Sequence, residues 1–323
     1  MSKISIVLFI LQSIIIVNSL ANLCPPFEDL QPCGCVSDGK NIRIDCYQIT
    51  SVEALKPALS SLKGIKHLFI DFIRARLDSV PSDLFKGLDI YKLSFTNCDL
   101  KSFGDKGRSA LEGLEDTIEE FSIHFSFEED NELKFLNVSS LRVIEDLEIE
   151  GNEMTILGNE WFAEGPHSLK NLYIMTNLLQ ELGDQVFRPL SNLKNLWLTG
   201  NQLKALKRSM FPSPANHLTT LDLTNNELSS LPEDMFQDMP SLKEVILAEN
   251  ELTTLHETTW IPVWSRLTSA YLESNPLDCD SHIEWTFDIR RPYVLKGVCV
   301  SPESRKGKDL KRLIDDSQLG LDV

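Results

Sequence analysis

The chain has 323 residues, of which 42% are hydrophobic, and is therefore long enough for two compact domains or one elongated domain. It carries 48 acidic side chains against 31 basic ones, a formal net charge of −17 at pH 7. A field of that sign makes nucleic acid a poor partner.

The first 21 residues have the composition of a secretory signal peptide. Lys3 precedes an apolar run from Ile4 to Val17, and the small residues Ser19 and Ala21 follow the run. The alternative is an uncleaved membrane anchor, but the run has only 14 residues, whereas a spanning helix needs roughly 20. Since no later segment is a candidate span, the sequence predicts a secreted, extracellular protein without a membrane span.

Seven cysteines fit an oxidising compartment, in which disulfides persist. Four lie in residues 22–64, which are predicted to form an N-terminal cap: Cys24, Cys33, Cys35 and Cys46. Two lie in residues 278–323, which are predicted to form a C-terminal cap: Cys279 and Cys299. Spacing alone leaves three pairings open for the first four cysteines.

Between the two cysteine groups, one sequence pattern recurs five times with almost constant spacing. The lines read LKNLYIMTNLL, LKNLWLTGNQL, LTTLDLTNNEL, LKEVILAENEL and LTSAYLESNPL. Each line has an Asn at the same position, at Asn177, Asn201, Asn226, Asn250 and Asn275, with spacings of 24, 25, 24 and 25 residues. This period and this pattern are typical of leucine-rich repeats.

Four looser copies precede these lines, so residues 65–277 are predicted to hold about nine repeats. They open at Ile65, Ile90, Ile118 and Ile144. In the first three copies the Asn position is assigned to Ile73, Cys98 and Ser126. Because a small buried thiol can replace this Asn, Cys98 is predicted to be a free structural cysteine.

The repeats predict an α/β-type solenoid, a horseshoe with a parallel β-sheet on its concave face. Residues such as Leu196 and Leu198 point inward, and their neighbours Trp197 and Thr199 point outward. A second inward column is predicted on the convex side, namely Phe85, Phe162, Phe187, Phe211, Phe236 and Trp260. The caps would shield the two ends of the stack.

The outward positions of the sheet are the predicted binding surface, because the parallel strands present them as one continuous face. The middle column is predicted to read Phe69, Ser94, Ser122, Glu148, Tyr173, Trp197, Asp222, Ile246 and Tyr271. Beside it lie Glu145, Asp146, Glu150 and Met175. Exposed Tyr, Trp and Met are typical of protein interfaces, although single exposed aromatic residues are also normal on any surface.

Charge is distributed unevenly along the chain. Between Glu112 and Glu164 there are sixteen acidic residues against two basic ones, which suits either a basic protein ligand or a solvated, solubilising face. The C-terminal cap is locally basic, and an anionic glycan is a candidate ligand for Arg305, Lys306, Lys308, Lys311 and Arg312. Asn137-Val138-Ser139 is a glycosylation sequon.

No motif for catalysis is present, so the sequence predicts a protein that is not an enzyme and has no cofactor. His256-Glu257 is followed by Trp260 where the zinc-protease helix needs its second histidine, and the histidines lack ligand spacing, so no metal site is predicted either. There is no nucleophile elbow and no phosphate-binding glycine-rich loop.

The chain resembles secreted arthropod leucine-rich repeat proteins related to the large, non-catalytic subunit of the deep-sea shrimp luciferase complex. The segments CPPFEDLQPCGC, ETTWIPVW and NPLDCDSHIEWTF carry this resemblance. It implies the pairs Cys24–Cys35 and Cys33–Cys46. The C-terminal cap of these proteins usually has four cysteines. Here Ser281 or a neighbour replaces the second and the fourth is missing, which argues for one remaining bridge, Cys279–Cys299.

The resemblance also implies a function. The chain would be a non-catalytic binding, scaffold or stabilising partner of another extracellular protein, for example of a separate catalytic subunit. Two alternatives remain open at this stage: an innate-immune recognition module for microbial glycans, and a component of the extracellular matrix.

Overall fold

The computed structural model describes residues 23–105, 107–127, 136 and 138–321. The predicted signal peptide (residues 1–21), the acidic segment 128–130 and the sequon residue Asn137 lie outside the described residues. In the described part of the chain, no helix is both long and apolar enough to cross a membrane.

A twelve-stranded sheet, in which the strands follow one another in chain order, forms the concave face of the solenoid. All neighbouring strands are parallel except the first pair, which is antiparallel. The strands are Cys33–Ser37 (β1), Ile42–Tyr47 (β2), Leu68–Ile73 (β3), Ile90–Thr96 (β4), Glu120–His124 (β5), Asp146–Glu150 (β6), Asn171–Met175 (β7), Asn195–Trp197 (β8), Thr220–Asp222 (β9), Glu244–Ile246 (β10), Ser269–Tyr271 (β11) and Val294–Lys296 (β12).

The remaining elements are short and lie on the other sides of the solenoid or in its caps. The α-helices are Phe27–Leu30 (α1), Val52–Ser61 (α2), Glu257–Trp260 (α3) and Leu310–Gln318 (α4). The 3-10 helices are Asn159–Phe162, Arg208–Met210, Trp264–Arg266 and Ser281–Phe287. Two-residue or three-residue strands outside the main sheet are Arg76–Leu77, Asp99–Leu100, Gly104–Asp105, Arg108–Ser109, Ile156–Leu157, Glu181–Leu182, Leu277–Asp278 and Cys299–Ser301.

The core is a stack of similar layers, because each repeat covers the apolar face of the one before it. Leu196 and Leu198 are completely buried, as the alternation along the strand predicts. The convex column of aromatic residues is also buried, and its rings pack on one another, with Phe187 6.3 Å from Phe162 and 6.0 Å from Phe211 between ring centroids. The horseshoe fold expected from the sequence is therefore confirmed.

The Asn column holds adjacent repeats together through the backbone. The Asn226 side chain donates to the carbonyl oxygens of Leu198 and Leu223 at 2.9 and 3.1 Å, and its Oδ1 accepts the N–H of Leu203 at 3.1 Å. Leu198 and Leu203 belong to the preceding repeat, so one side chain satisfies polar groups in two layers. These groups are buried, and leaving them unpaired would be costly.

The predicted alignment of the first repeat is wrong by two residues. Ile70 and Phe72 lie opposite Leu93 and Phe95, and the rings of Phe72 and Phe95 stack with centroids 4.8 Å apart. The buried Ala75, two residues after Ile73, occupies the Asn position that was assigned to Ile73. The Phe72–Phe95 stack and the small buried Ala75 favour this alignment over the predicted one.

Three disulfides close the caps, Cys24–Cys35, Cys33–Cys46 and Cys279–Cys299. The two N-terminal pairs are those that the family resemblance implies, and the third is the single bridge predicted for the C-terminal cap. In the N-terminal cap, Cys33 lies opposite Cys46 in the β1–β2 pair, and α2 covers the end of the core with the buried residue Leu55. In the C-terminal cap, α4 begins at an Asp309 cap that accepts the N–H of Arg312, and it buries Leu313.

Cys98 is buried and free, and it occupies the Asn position of its repeat. Its thiol donates to the carbonyl oxygen of Phe72 at 3.4 Å, and its N–H donates to Ser126 Oγ at 3.1 Å. Burial raises the pKa of the thiol, so the reactive thiolate is disfavoured.

Asn226→Ala should lower the free energy of unfolding by roughly 1–3 kcal/mol, because it leaves buried backbone groups without partners. Denaturant-induced unfolding followed by circular dichroism measures the change. The matched control is Asn216→Ala, whose side chain is exposed and whose loss should leave the stability unchanged. Equal stability of the two variants would contradict the role of the Asn column.

Cys98 should be the one thiol that a maleimide labels when the protein is unfolded without reductant. The other six cysteines are held in disulfides. Peptide mapping by mass spectrometry identifies the labelled residue. Label on Cys24, Cys46 or Cys299 would show that the pairing differs.

Candidate binding surface on the concave face

The outward residues of the sheet form three columns, and the strand register defines them. In the middle column, Glu148, Tyr173, Trp197 and Asp222 lie opposite one another on β6 to β9. At the N-terminal end this column continues through Ser122 and Ser94 to Asp71.

Phe69 is therefore not a member of the middle column, contrary to the prediction. It lies opposite Lys92 in the neighbouring column, because the first repeat is shifted by two residues. Its ring is covered by cations, with the Arg43 guanidinium 4.8 Å and the Lys92 ammonium 5.2 Å from the ring centroid. Four strand spacings, about 19 Å at 4.7–4.9 Å each, separate its strand from that of Tyr173.

Tyr173 and Trp197 form a stacked pair in the middle of the concave face. Their ring centroids are 4.4 Å apart and the ring planes differ by 12°. Met175 lies two residues beyond Tyr173 on the same face of β7, and all three side chains are half-buried. Burial raises the pKa of the Tyr173 hydroxyl, and the nearby charges of Asp146 and Glu148 raise it further. We call Tyr173, Met175 and Trp197 the aromatic cluster.

The predicted acidic residues lie on β6 and just before it, directly beside the aromatic cluster, and most of them have partners. Glu145 pairs with Lys170 at 2.5 Å, and Asp146 accepts a hydrogen bond from the Asn171 amide. Burial raises the pKa of Asp146. The negative charge that these residues present to a ligand is therefore smaller than the number of carboxylates implies.

Glu148 and Glu150 lie beside His124, a residue that the sequence pattern did not single out. His124 Nε2 is 3.3 Å from Glu148 Oε2. The polar contact with Glu148 raises the pKa of His124, and the same contact lowers the pKa of Glu148. Aligning the two repeats would have indicated this contact, because His124 lies opposite Glu150 in the register of β5 and β6.

The other predicted members of the middle column lie further towards the C-terminus. Asp222 is held by the residues that follow its strand, since its Oδ1 accepts hydrogen bonds from the N–H and Oγ1 of Thr224 at 2.8 and 2.6 Å. Ile246 lies opposite Asp222 and Tyr271. Three strand spacings, about 14 Å, separate Tyr271 from Trp197. The structure thus brings Glu148, Tyr173, Met175 and Trp197 together but leaves Tyr271 outside this group.

The basic cluster of the C-terminal cap is largely neutralised within the cap. Arg305 donates to the carbonyl oxygen of Cys279 at 2.8 Å and pairs with Glu284 at 3.0 Å, and its side chain is only 13% exposed. Three of its neighbours form ion pairs with carboxylates: Lys306 with Glu303, Lys311 with Asp315, and Arg312 with Asp316. Arg305 is a structural residue of the cap, and the cluster offers less free charge than its composition indicates.

The aromatic cluster stands on the outward face of the concave sheet. Two hollows of about 660 Å³ occur elsewhere. One is lined by Arg291, Tyr293 and Asp315 at the C-terminal cap, and the other by Arg74 and Arg76 at an edge of the solenoid. Neither includes a residue of the aromatic cluster. An open surface suits a macromolecular ligand better than a small molecule.

By its fold, the chain is a leucine-rich repeat solenoid with disulfide-closed caps. Residues 216–277 match the family described as leucine rich repeat. A search of curated proteins found no match to the sequence.

Solved structures with the same fold include a chain of the TLR13–ssRNA13 complex and a chain of the octameric complex of Latrophilin 3, Unc5D and FLRT2, in which FLRT2 is the leucine-rich repeat component. The first has 21% identity and a TM-score of 0.58 over 73% of this chain and 32% of its own length. The second has 17% identity and a TM-score of 0.58 over 88% of this chain and 96% of its own length. This chain thus spans about a third of the TLR13 chain. At these identities, the likeness concerns the fold.

Leu196→Ala should lower the free energy of unfolding by about 2–5 kcal/mol, because it opens a cavity in the core. Trp197→Ala should cost less than about 1.5 kcal/mol, the upper range for one stacked aromatic pair. Chemical unfolding of the two variants checks the strand register. A larger loss for Trp197→Ala would mean that its ring packs in the core.

Proposed function

We propose that this chain is a secreted, non-catalytic protein that binds another extracellular protein through its concave face, with the aromatic cluster at the centre of the interface. The observation that carries the proposal is the Tyr173–Trp197 stack, two large rings held 4.4 Å apart on an open sheet. Tyr and Trp are enriched among the residues that dominate binding energy at protein interfaces.

The rigidity of the cluster supports this role. Both rings stand on neighbouring strands whose backbones are hydrogen-bonded, and each ring fixes the other by stacking. Little side-chain entropy is then lost when a partner covers them, which raises the affinity gained per unit of buried area. Met175 adds an adaptable apolar side chain at the edge of the cluster.

Secretion is supported by the three disulfides and by the predicted signal peptide. The resemblance to the non-catalytic luciferase subunit supplies one class of partner, a separate catalytic protein. FLRT2 forms a complex with Latrophilin 3 and Unc5D, and an assembly of this kind is consistent with a role in protein binding for a chain of this fold.

The other ligand classes have weaker support. TLR13 is seen with single-stranded RNA, but a net charge of −17 opposes an RNA ligand here. An anionic glycan would have to compete with carboxylates for four of the five basic residues of the C-terminal cap. Among the described residues, no arrangement of surface side chains favours a microbial glycan or a matrix polymer over a protein as the ligand.

The test compares proteins captured from the source fluid by the immobilised mature chain, by Trp197→Ala and by a control. The control is Tyr293→Ala, which removes an aromatic ring that is 79% exposed and lies at the C-terminal cap. A true partner is retained by the wild type and by the control and is depleted on Trp197→Ala. Quantitative mass spectrometry measures the depletion.

With the partner purified, Trp197→Ala should weaken binding by at least about 2 kcal/mol, roughly thirtyfold in Kd. Tyr293→Ala should leave Kd unchanged. If the partner binds Trp197→Ala as tightly as it binds the wild type, the interface lies elsewhere. If no protein partner is captured and both variants are retained on heparin, the glycan alternative is favoured.

A further inference from the structure

One histidine and two glutamates converge on the concave face, one strand before the aromatic cluster. His124 on β5 lies opposite Glu150 on β6, and Glu148 precedes Glu150 by two residues, so all three side chains leave the same face of the sheet. One ligand atom from each lies within 4.8 Å of the other two. Within the described residues, these three form the one such group of His, Cys, Asp or Glu side chains.

The imidazole of this group already points at a carboxylate. His124 Nε2 is inaccessible to solvent and lies 3.3 Å from Glu148 Oε2, an ion-pair contact that is not aligned as a hydrogen bond. A buried polar atom without a well-aligned partner costs free energy. An ion bound between this nitrogen and the carboxylates would give the nitrogen a better-aligned partner.

We propose that His124, Glu148 and Glu150 bind one divalent transition-metal ion, with Zn²⁺ as the best fit. One imidazole nitrogen and two carboxylate oxygens are a donor set that Zn²⁺ accepts, with bonds of about 2.0–2.2 Å. In the tetrahedral geometry of Zn²⁺, two donor atoms at these bond lengths are about 3.4 Å apart. His124 Nε2 and Glu148 Oε2 are already 3.3 Å apart. All three ligand atoms lie within 4.8 Å of one another, so the widest gap needs to close by at most about 1.4 Å, which torsional changes in the glutamate side chains provide.

The donor set also excludes the common hard cations. Ca²⁺ takes six to eight oxygen ligands, and Mg²⁺ keeps most of its waters, so neither gains from an imidazole. A transition-metal ion, by contrast, binds imidazole well. Two carboxylates and a neutral imidazole balance the double positive charge of the ion, which removes the repulsion between Glu148 and Glu150.

Three protein ligands leave at least one coordination position for water or for a donor from a partner. Glu148 lies opposite Tyr173 across the β6–β7 pair, so the three ligands lie next to the aromatic cluster. The metal site stands independently of the proposed protein interface, because its three ligands come from this chain alone.

The experiment is calorimetric titration of the metal-free, full-length mature chain with ZnCl₂ at pH 7.5. We expect one ion to bind per chain. Glu150→Gln should weaken binding by about a hundredfold, since even residues that only orient metal ligands contribute 10–100-fold, and His124→Gln should abolish the saturable phase. Co²⁺ provides a second measurement, as its visible absorption should appear with the wild type and disappear with His124→Gln.

Two matched controls separate this site from general surface binding. Glu244→Gln removes the same charge from the same face of the sheet, and His217→Gln removes an exposed histidine. Both should bind Zn²⁺ like the wild type. The proposal is overturned if the wild type shows no saturable binding, if His124→Gln and Glu150→Gln both bind as the wild type does, or if Ca²⁺ binds equally well and His124→Gln retains it.

Discussion

The structure depends on one constraint: the backbone of a solenoid turns inward once in every repeat, and its polar groups there must find partners away from water. Asn226 meets this need for two repeats at once, since it donates to Leu198 and Leu223 and accepts from Leu203. Towards the N-terminus the same need is met by other means, with Ser126 accepting the N–H of Cys98 and the Cys98 thiol donating to Phe72. Since the first repeat has the buried Ala75 at this position, the column requires a small side chain throughout, and from Cys98 onward that side chain is also polar and satisfies buried backbone groups.

Because this column fixes the spacing of the repeats, it also fixes the register of the strands, and the register decides what the concave face presents. Tyr173 and Trp197 stack because their strands pair in register. His124 and Glu150 lie opposite each other for the same reason. The surface chemistry is thus a consequence of which outward residues neighbouring repeats place side by side, and not of any single repeat.

The regular repeats from Leu169 onward could be predicted from the sequence because Leu and Asn recur at a constant period. The first repeat could not be aligned so easily, since the strand LFIDFI has apolar residues on both faces, and Ile70 and Phe72 fit the inward positions as well as Leu68 and Ile70 do. A signal was present: Ala75 precedes the buried Leu77 by two residues, the same step as from Cys98 to Leu100. His124 was missed for a different reason. Its repeat is irregular, and Glu150 lies 26 positions away in the sequence, so the two residues come together only because their strands pair.

The acidic composition around the aromatic cluster gives a misleading picture of the binding surface. Glu145 is paired with Lys170, Glu148 with His124, and Asp146 is hydrogen-bonded to Asn171. Carboxylates that already have partners in the free protein gain less from a basic ligand, and salt screens what remains of their field. Charge on this face is therefore suited to speeding the approach of a partner, whereas the free energy that holds the partner must come from covering Tyr173, Met175 and Trp197.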